Sequence, residues 1–233
     1  MKKENQAYNI QPAERLQSVS EYYFSRKLKE VAQMNAEGKD VISLGIGSPD
    51  MPPSEAAIKV LCEQAQRADV HGYQPTVGIP ELRQAMSDFY QKWYGVELNP
   101  ATEIQPLIGS KEGILHVTLA FVNPGDQVLV PNPGYPTYTS LNKILGSDIV
   151  TYNLLEEKGW QPDFEALEQM DLSRVKLMWT NYPNMPTGAN ATRELYERLV
   201  EFARRKNIVI VNDNPYSFIL NKKPLSILQV SGA

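Results

Sequence analysis

Hydrophobic residues fall along this chain in two patterns. Short continuous runs occur at Gln127-Val128-Leu129-Val130, Val175-Lys176-Leu177-Met178-Trp179-Thr180 and Ile208-Val209-Ile210-Val211. All three read as strands, and the four β-branched residues of Ile208 to Val211 as a strand buried on both faces. Between them, apolar residues return every three or four positions, the spacing of amphipathic helices. Residues 1–18 are polar and read as irregular. A helix capped by Ser20 is predicted to run to about Glu37, with Phe24, Leu28 and Val31 on one face and Gly38 at its end. Val41 to Leu44 reads as a short strand, and Ser54 as the cap of a helix to about Arg67 with Ile58, Leu61 and Ala65 inward. Pro80 opens a helix that Gly95 ends; its stripe of Leu82, Met86, Phe89 and Trp93 reads as core or subunit contact.

The second half continues the alternation. Ile104 to Ile108 is a short strand, followed by a helix carrying Leu115, Leu119 and Val122. After the strand at 127–130 come a helix at about 139–145 and a strand at 149–152. Pro162-Asp163 begins a short helix with Phe164 and Leu167, and Thr192 caps one with Leu195, Leu199 and Phe202 on its apolar stripe. Strand and helix in turn predict an α/β protein with a largely parallel sheet and right-handed crossovers.

Composition narrows the function classes. The 233 residues allow one or two domains at roughly 150 residues each. Lys+Arg 23 against Asp+Glu 27 gives a net charge of -4, with no basic excess that points to nucleic acid. The single cysteine, Cys62, permits no internal disulfide, suits a reducing compartment and reads as a packing residue in its apolar helix. Two histidines, His71 and His116, make no metal-ligand pattern with it. Neither a signal-peptide run at Met1 to Gln6 nor a membrane-length apolar window is present, so a cytoplasmic protein is expected.

The unusual chemistry sits in loops at the carboxyl ends of strands, where open α/β sheets bind ligands. Gly109-Ser110-Lys111-Glu112-Gly113 joins a strand to a helix start, which aims backbone N–H groups and the helix dipole at one spot suited to phosphate. A plain tight turn with a serine cap has the same sequence. Pro133-Gly134-Tyr135 offers a flat aromatic face, although loop tyrosines often have no such task. Asp213 ends the last strand beside Pro215 and Tyr216; it reads either as a turn cap or as the partner of a cationic ring nitrogen. The loop Gly45-Ile46-Gly47-Ser48-Pro49-Asp50 is not G-x-G-x-x-G, and Pro49 spoils a dinucleotide helix start. A phosphate holder, a flat face and a carboxylate for a ring nitrogen together describe a pyridoxal-phosphate site.

With those residues in place, the chain resembles the class I/II, aspartate-aminotransferase-like pyridoxal-phosphate enzymes from about Val41 onward. The ordered motifs are Gly47-Ser48-Pro49-Asp50, Tyr73 with Gly78-Ile79-Pro80-Glu81-Leu82-Arg83, Gly109-Ser110-Lys111, Pro133-Gly134-Tyr135, Pro186-Thr187-Gly188, and Asp213 with Tyr216. The resemblance implies a three-layer sandwich with a mostly parallel sheet. Residues 1–45 would be the N-terminal arm and the start of a small domain, and 46–233 a truncated cofactor-binding large domain. It places Gly47 on the substrate's carboxylate side, and Ser110 with the Lys111 amide on the cofactor phosphate. Tyr135 would stack on the pyridine ring, Asp213 pair with its protonated nitrogen and Tyr216 hydrogen-bond its phenolic oxygen. Tyr73 would reach the phosphate of a neighbouring subunit, which implies a homodimer with shared sites.

Two departures from the family's pattern matter. Met185 stands where the family has an asparagine for the phenolic oxygen, and a thioether cannot donate a hydrogen bond. Asn184 or Asn181 substitutes, or Tyr216 acts alone. The family's Schiff-base lysine belongs to a segment expected beyond Ala233, as does its carboxylate-gripping arginine, so these residues read as the N-terminal portion of a longer protein. The activity implied is transamination between an amino acid and a 2-oxo acid. A β-lyase, a decarboxylase and a non-catalytic binding protein are the alternatives on this scaffold. Aspartate, glutamate, alanine, aromatic amino acids and diaminopimelate are all open as donors.

Overall fold

The computed structural model describes residues 10–19, 21–45, 47 and 50–233. Its helices are α1 (Tyr23–Ala36), α2 (Glu55–Ala65), α3 (Pro80–Tyr94), α4 (Ser110–Phe121), α5 (Pro136–Leu145), α6 (Phe164–Gln169) and α7 (Arg193–Lys206). Its strands are β1 (Gln127–Asn132), β2 (Asp148–Leu155), β3 (Gln161–Pro162), β4 (Val175–Asn181) and β5 (Val209–Asp213). Residues 10–19 with 77–233 form one compact unit and residues 21–76 another. The expected boundary at residue 45 falls inside the second of these. Among the described residues no helix is long and apolar enough to cross a membrane.

The smaller unit holds α1 and α2. Ser54 caps α2 as expected, its Oγ accepting the Ala57 N–H at 3.3 Å. Ser20, the expected cap of α1, lies outside the described residues. Neither helix has a fully buried side chain, so Ile58 and Leu61 are exposed rather than inward. Cys62 is exposed as well, which corrects its reading as a packing residue. Val41 to Leu44 is irregular, with Ile42 and Leu44 in solvent. An apolar run becomes a strand only by pairing, and none of the described strands lies alongside it.

In the larger unit the strand order is β3-β2-β1-β4-β5. Every neighbouring pair is parallel except β2 with β3. Strand parity divides the core in two. Leu129 and Met178 point to one face, where they meet Phe164 and Leu167 of α6 and Leu195, Leu199 and Phe202 of α7. Val128, Val130, Leu177 and Trp179 point to the other, against Ile114 of α4 and Tyr138 of α5. Helices therefore cover both faces, and the continuous apolar runs of β1 and β4 follow from that burial. Thr192 caps α7 through its Oγ1 and the Leu195 N–H, 3.1 Å apart. Thr192→Ala is expected to lower stability by about 1 kcal/mol, read as a lower denaturant midpoint with an unchanged slope. Glu168 of α6 meets Arg205 and Lys206 of α7, and these cations hold its carboxyl down at about 2. Ion pairs this exposed contribute little to stability.

Four expectations change on this frame. β5 stands at the edge of the described sheet, so only Ile208, just before it, is buried and Val209 is exposed. Ile104 to Ile108 is irregular: Pro106 removes a ladder donor, and Ile108 is 99% exposed. In α4 the inward residues are Ile114 and Thr118, and Leu119 is exposed. In α3 the fully buried residues are Ser87 and Tyr94, while Leu82, Phe89 and Trp93 of the expected stripe stay partly exposed and outside the core, Phe89 and Trp93 against the Phe218 ring. Polar anchors set that rotation: Ser87 Oγ donates to the Leu98 carbonyl at 2.7 Å, and Tyr94 Oη to Ser217 Oγ at 2.9 Å. Buried hydroxyls must be paired, whereas an apolar stripe is free to stay outside.

Candidate active site

Parallel strands end on the same side of a sheet. The β4–β5 register sets Asn181 opposite Asp213, and the chain leaves β1 at Asn132 on that edge. Loops from these ends and the start of α4 enclose a cavity of about 150 Å³. Its lining is Ser110, Tyr135, Asn181, Met185, Asp213, Pro215 and Tyr216.

The residue before α4, Gly109, has extended backbone, and Ser110 is the first helical residue. The first turn of a helix leaves N–H groups without intrahelical partners and carries the positive end of the dipole. Glu112 in this turn reaches back instead, accepting the Ile108 N–H at 2.9 Å and ordering the loop. Ser110, at the front of the helix, lines the cavity with chemistry suited to an anion, while Lys111 is not among the lining residues.

Tyr135 is raised by a turn that only glycine allows. A Cβ on Gly134 would stand 2.5 Å from the Pro131 carbonyl oxygen, too close for any side chain. Pro136 then starts α5 with φ already helical. The Tyr135 ring meets Tyr138 edge-on, centroids 5.5 Å apart at 85°, and Lys111 Nζ lies 5.9 Å from its centroid.

Asp213 is the last residue of β5 and half-buried. Burial pushes its carboxyl above the usual aspartate value, and the hydrogen bond from Tyr138 opposes that rise. Tyr138 Oη donates to Asp213 Oδ2 at 2.8 Å. The Asp213 carbonyl accepts Asn181 Nδ2 at 2.8 Å, and Asn181 Oδ1 accepts the Met185 N–H at 2.7 Å. Asn181 thus ties the loop after β4 to the end of β5, while its amide nitrogen carries a second N–H. Asn184 is turned into its own loop: its Oδ1 accepts Thr187 Oγ1 at 2.7 Å and its Nδ2 donates to the Asn181 carbonyl at 3.2 Å. It does not line the cavity.

Ser110, Tyr135, Asp213 and Tyr216, expected from sequence, are therefore brought together. Tyr73 and Gly47 belong to the other unit, Tyr73 being 96% exposed. Tyr138, hydrogen-bonded to Asp213, is the residue beside the cavity that sequence reasoning passed over. Its signal was available: three positions after Tyr135 at a helix start, the two rings share a side. Among the described residues no group of three or more His, Cys, Asp or Glu side chains is placed to hold a metal ion. The donor set suits pyridoxal phosphate. A half-buried carboxylate has one oxygen engaged by Tyr138, an aromatic ring lines the same cavity, and a helix start stands beside it.

Comparison with known proteins identifies the family. The family described as aminotransferase class I and II matches residues 39–231. An LL-diaminopimelate aminotransferase of Dehalococcoides mccartyi is 42% identical over 223 residues, 95% of this chain and 58% of its own length. Another, from Nitratidesulfovibrio vulgaris, is 42% identical over 224 residues with the same coverage. This chain thus spans 58% of the length of these relatives. Among solved structures, BacF of Bacillus subtilis superposes with a TM-score of 0.87 at 36% identity, covering 97% of this chain and 57% of BacF. A single mutant of the Thermus thermophilus aspartate aminotransferase does so with a TM-score of 0.84 at 26% identity, covering 95% of this chain and 58% of that one. The fold is the aspartate-aminotransferase-like one, a mostly parallel sheet between helical layers. By sequence and by fold, the chain belongs to the class I and II aminotransferases.

Proposed function

We propose that the protein carrying this chain transfers an amino group between an amino acid and a 2-oxo acid with bound pyridoxal phosphate. The observation that carries the reading is Asp213, a half-buried carboxylate at the wall of a cavity that Ser110, Tyr135 and Tyr216 also line. Pyridoxal phosphate, when bound, supplies an electron sink for negative charge developing at an amino acid's Cα. The chain's own residues hold and orient it. Ser110 and the Lys111 amide would hold the phosphate at the start of α4, and Tyr135 would offer its aromatic face to the ring. Asp213 would keep the ring nitrogen protonated through a charge-assisted hydrogen bond. Tyr216 would donate to the phenolic oxygen. With Met185 unable to donate and Asn184 spent inside its loop, the second N–H of Asn181 is the other donor at hand.

Gly47 on the substrate's carboxylate side and Tyr73 reaching a neighbouring subunit's phosphate complete the reading, which entails a homodimer with shared sites in the cytoplasm. LL-diaminopimelate is the first donor to try, because relatives bearing that name share 42% of their aligned residues with this chain. The test is visible absorption of the protein with pyridoxal phosphate, followed by addition of LL-diaminopimelate, glutamate, aspartate or alanine. A retained cofactor band that shifts with a donor, together with release of the matching 2-oxo acid, is the expected result. A natively folded protein that keeps no cofactor after dialysis overturns the reading.

A further inference from the structure

Tyr138 is fixed from every side. It is wholly buried on the first turn of α5. Its ring stacks on Trp179 of β4, centroids 5.2 Å apart and planes 6° from parallel, and presents an edge to Tyr135. Its backbone N–H donates to the Tyr135 carbonyl at 3.2 Å, and its own carbonyl accepts Asn142 Nδ2 at 2.6 Å. A phenol held this rigidly can place its one O–H in a single direction, and that direction is Asp213 Oδ2, 2.8 Å away.

We propose that Tyr138 is a positioning residue. Its hydroxyl fixes the orientation of Asp213 and leaves the second carboxylate oxygen turned into the cavity for a cationic ring nitrogen. The inference rests on the pyridoxal-phosphate reading and adds to it a residue that touches neither cofactor nor substrate. One short segment then sets two walls of the site, Tyr135 directly and Asp213 through Tyr138. A second effect follows. Burial disfavours the carboxylate's charge, and a hydrogen bond to the charged form favours it, so Tyr138 helps keep Asp213 ionised. The phenol itself stays protonated, because burial and the Asp213 charge both oppose its ionisation. The other ionisable groups nearby are Tyr135, with Lys111 beyond its ring, Tyr152 on β2, and Tyr216 at the cavity wall.

The test is carbon-13 NMR of aspartate-labelled, cofactor-free protein. The Asp213 carboxyl signal is assigned as the one lost in Asp213→Asn. In Tyr138→Phe, which removes only the hydroxyl, its titration midpoint is expected to rise by about one pH unit. Pyridoxal-phosphate affinity is expected to fall about tenfold, and further as the pH is lowered through the new midpoint. A purely structural role would lower the melting temperature without moving the midpoint. Where Tyr138→Phe does not fold, 3,5-difluorotyrosine at position 138 keeps the shape with a stronger donor, and the midpoint is expected to move down. A midpoint left unmoved by either variant, when the wild type binds the cofactor, overturns this inference alone. A wild type that binds no pyridoxal phosphate overturns the transaminase reading, and this inference with it.

Discussion

Asp213→Asn is expected to weaken pyridoxal-phosphate binding by about 10- to 100-fold while leaving the fold as stable as before or more so. The two halves of that result have one cause. A carboxylate facing a cationic ring nitrogen makes a charge-assisted hydrogen bond of about 1.5–3 kcal/mol, and each 1.4 kcal/mol is about tenfold in affinity. An asparagine keeps the shape and can still accept from Tyr138, yet it carries no charge. Without a cofactor, the buried charge is a liability. The Asp213 carboxyl is raised above its ordinary value chiefly by burial. Between the unfolded and folded values, the folded state holds a proton that the unfolded state has released. Stability therefore falls as pH rises through that window, and the full penalty is present above the folded value. Asp213→Asn removes the penalty, so its gain over wild type should appear near neutral pH and vanish below the ordinary aspartate value. Fluorescence titration with pyridoxal phosphate and urea unfolding at several pH values read the two effects separately. Tight binding by the asparagine variant would remove Asp213 from the ring nitrogen.

Leu199→Ala is expected to cost about 2–5 kcal/mol, a large part of the roughly 5–15 kcal/mol that stabilises a domain. Leu199 is 0% exposed, on the face of α7 that packs against β1 and β4. It shares a buried cluster with Leu129 of β1 and Met178 of β4, neither able to fill the space without moving a strand. Because those strands end at the cavity, the variant should also loosen the Asn181–Asp213 tie. The expected readout is a lower urea midpoint, and a cofactor affinity that drops only near the unfolding transition. An alanine variant as stable as wild type would mean the helical layer relaxes freely. By contrast, Leu61→Ala on the exposed face of α2 should change stability by no more than about 0.5 kcal/mol.

Much of the larger unit was legible in the sequence because two local rules agree there. The apolar runs at 127–130 and 175–180 became central strands, and the spacing of Leu195, Leu199 and Phe202 became the buried stripe of α7. Caps at Asp163 and Thr192, like that at Ser54 in the smaller unit, mark helix starts by chemistry that operates over three residues. Glycine at 134 is demanded by one backbone approach. These are short-range causes, and a sequence contains them whole. The strand-end loops also announced Ser110, Tyr135, Asp213 and Tyr216, since residue type and position at a strand's carboxyl end are both local facts.

Tertiary structure decided what depends on partners distant in the chain. Whether Val41 to Leu44 and Ile104 to Ile108 become strands depends on pairing, and neither is paired among the described strands. Which face of α3 turns inward was set by hydroxyls reaching Leu98 and Ser217, not by its larger apolar stripe. Asn181 and Asn184 are alike in the sequence; folding spends Asn184 inside its loop and puts Asn181 at the cavity wall. The pairing of Tyr138 with Asp213 joins residues 75 positions apart. The sequence by itself determined the α/β alternation and the chemical groups of the site. Only the tertiary structure could decide which of those groups face one another, because a hydrogen bond over 2.8 Å depends on the packing of every layer between its ends.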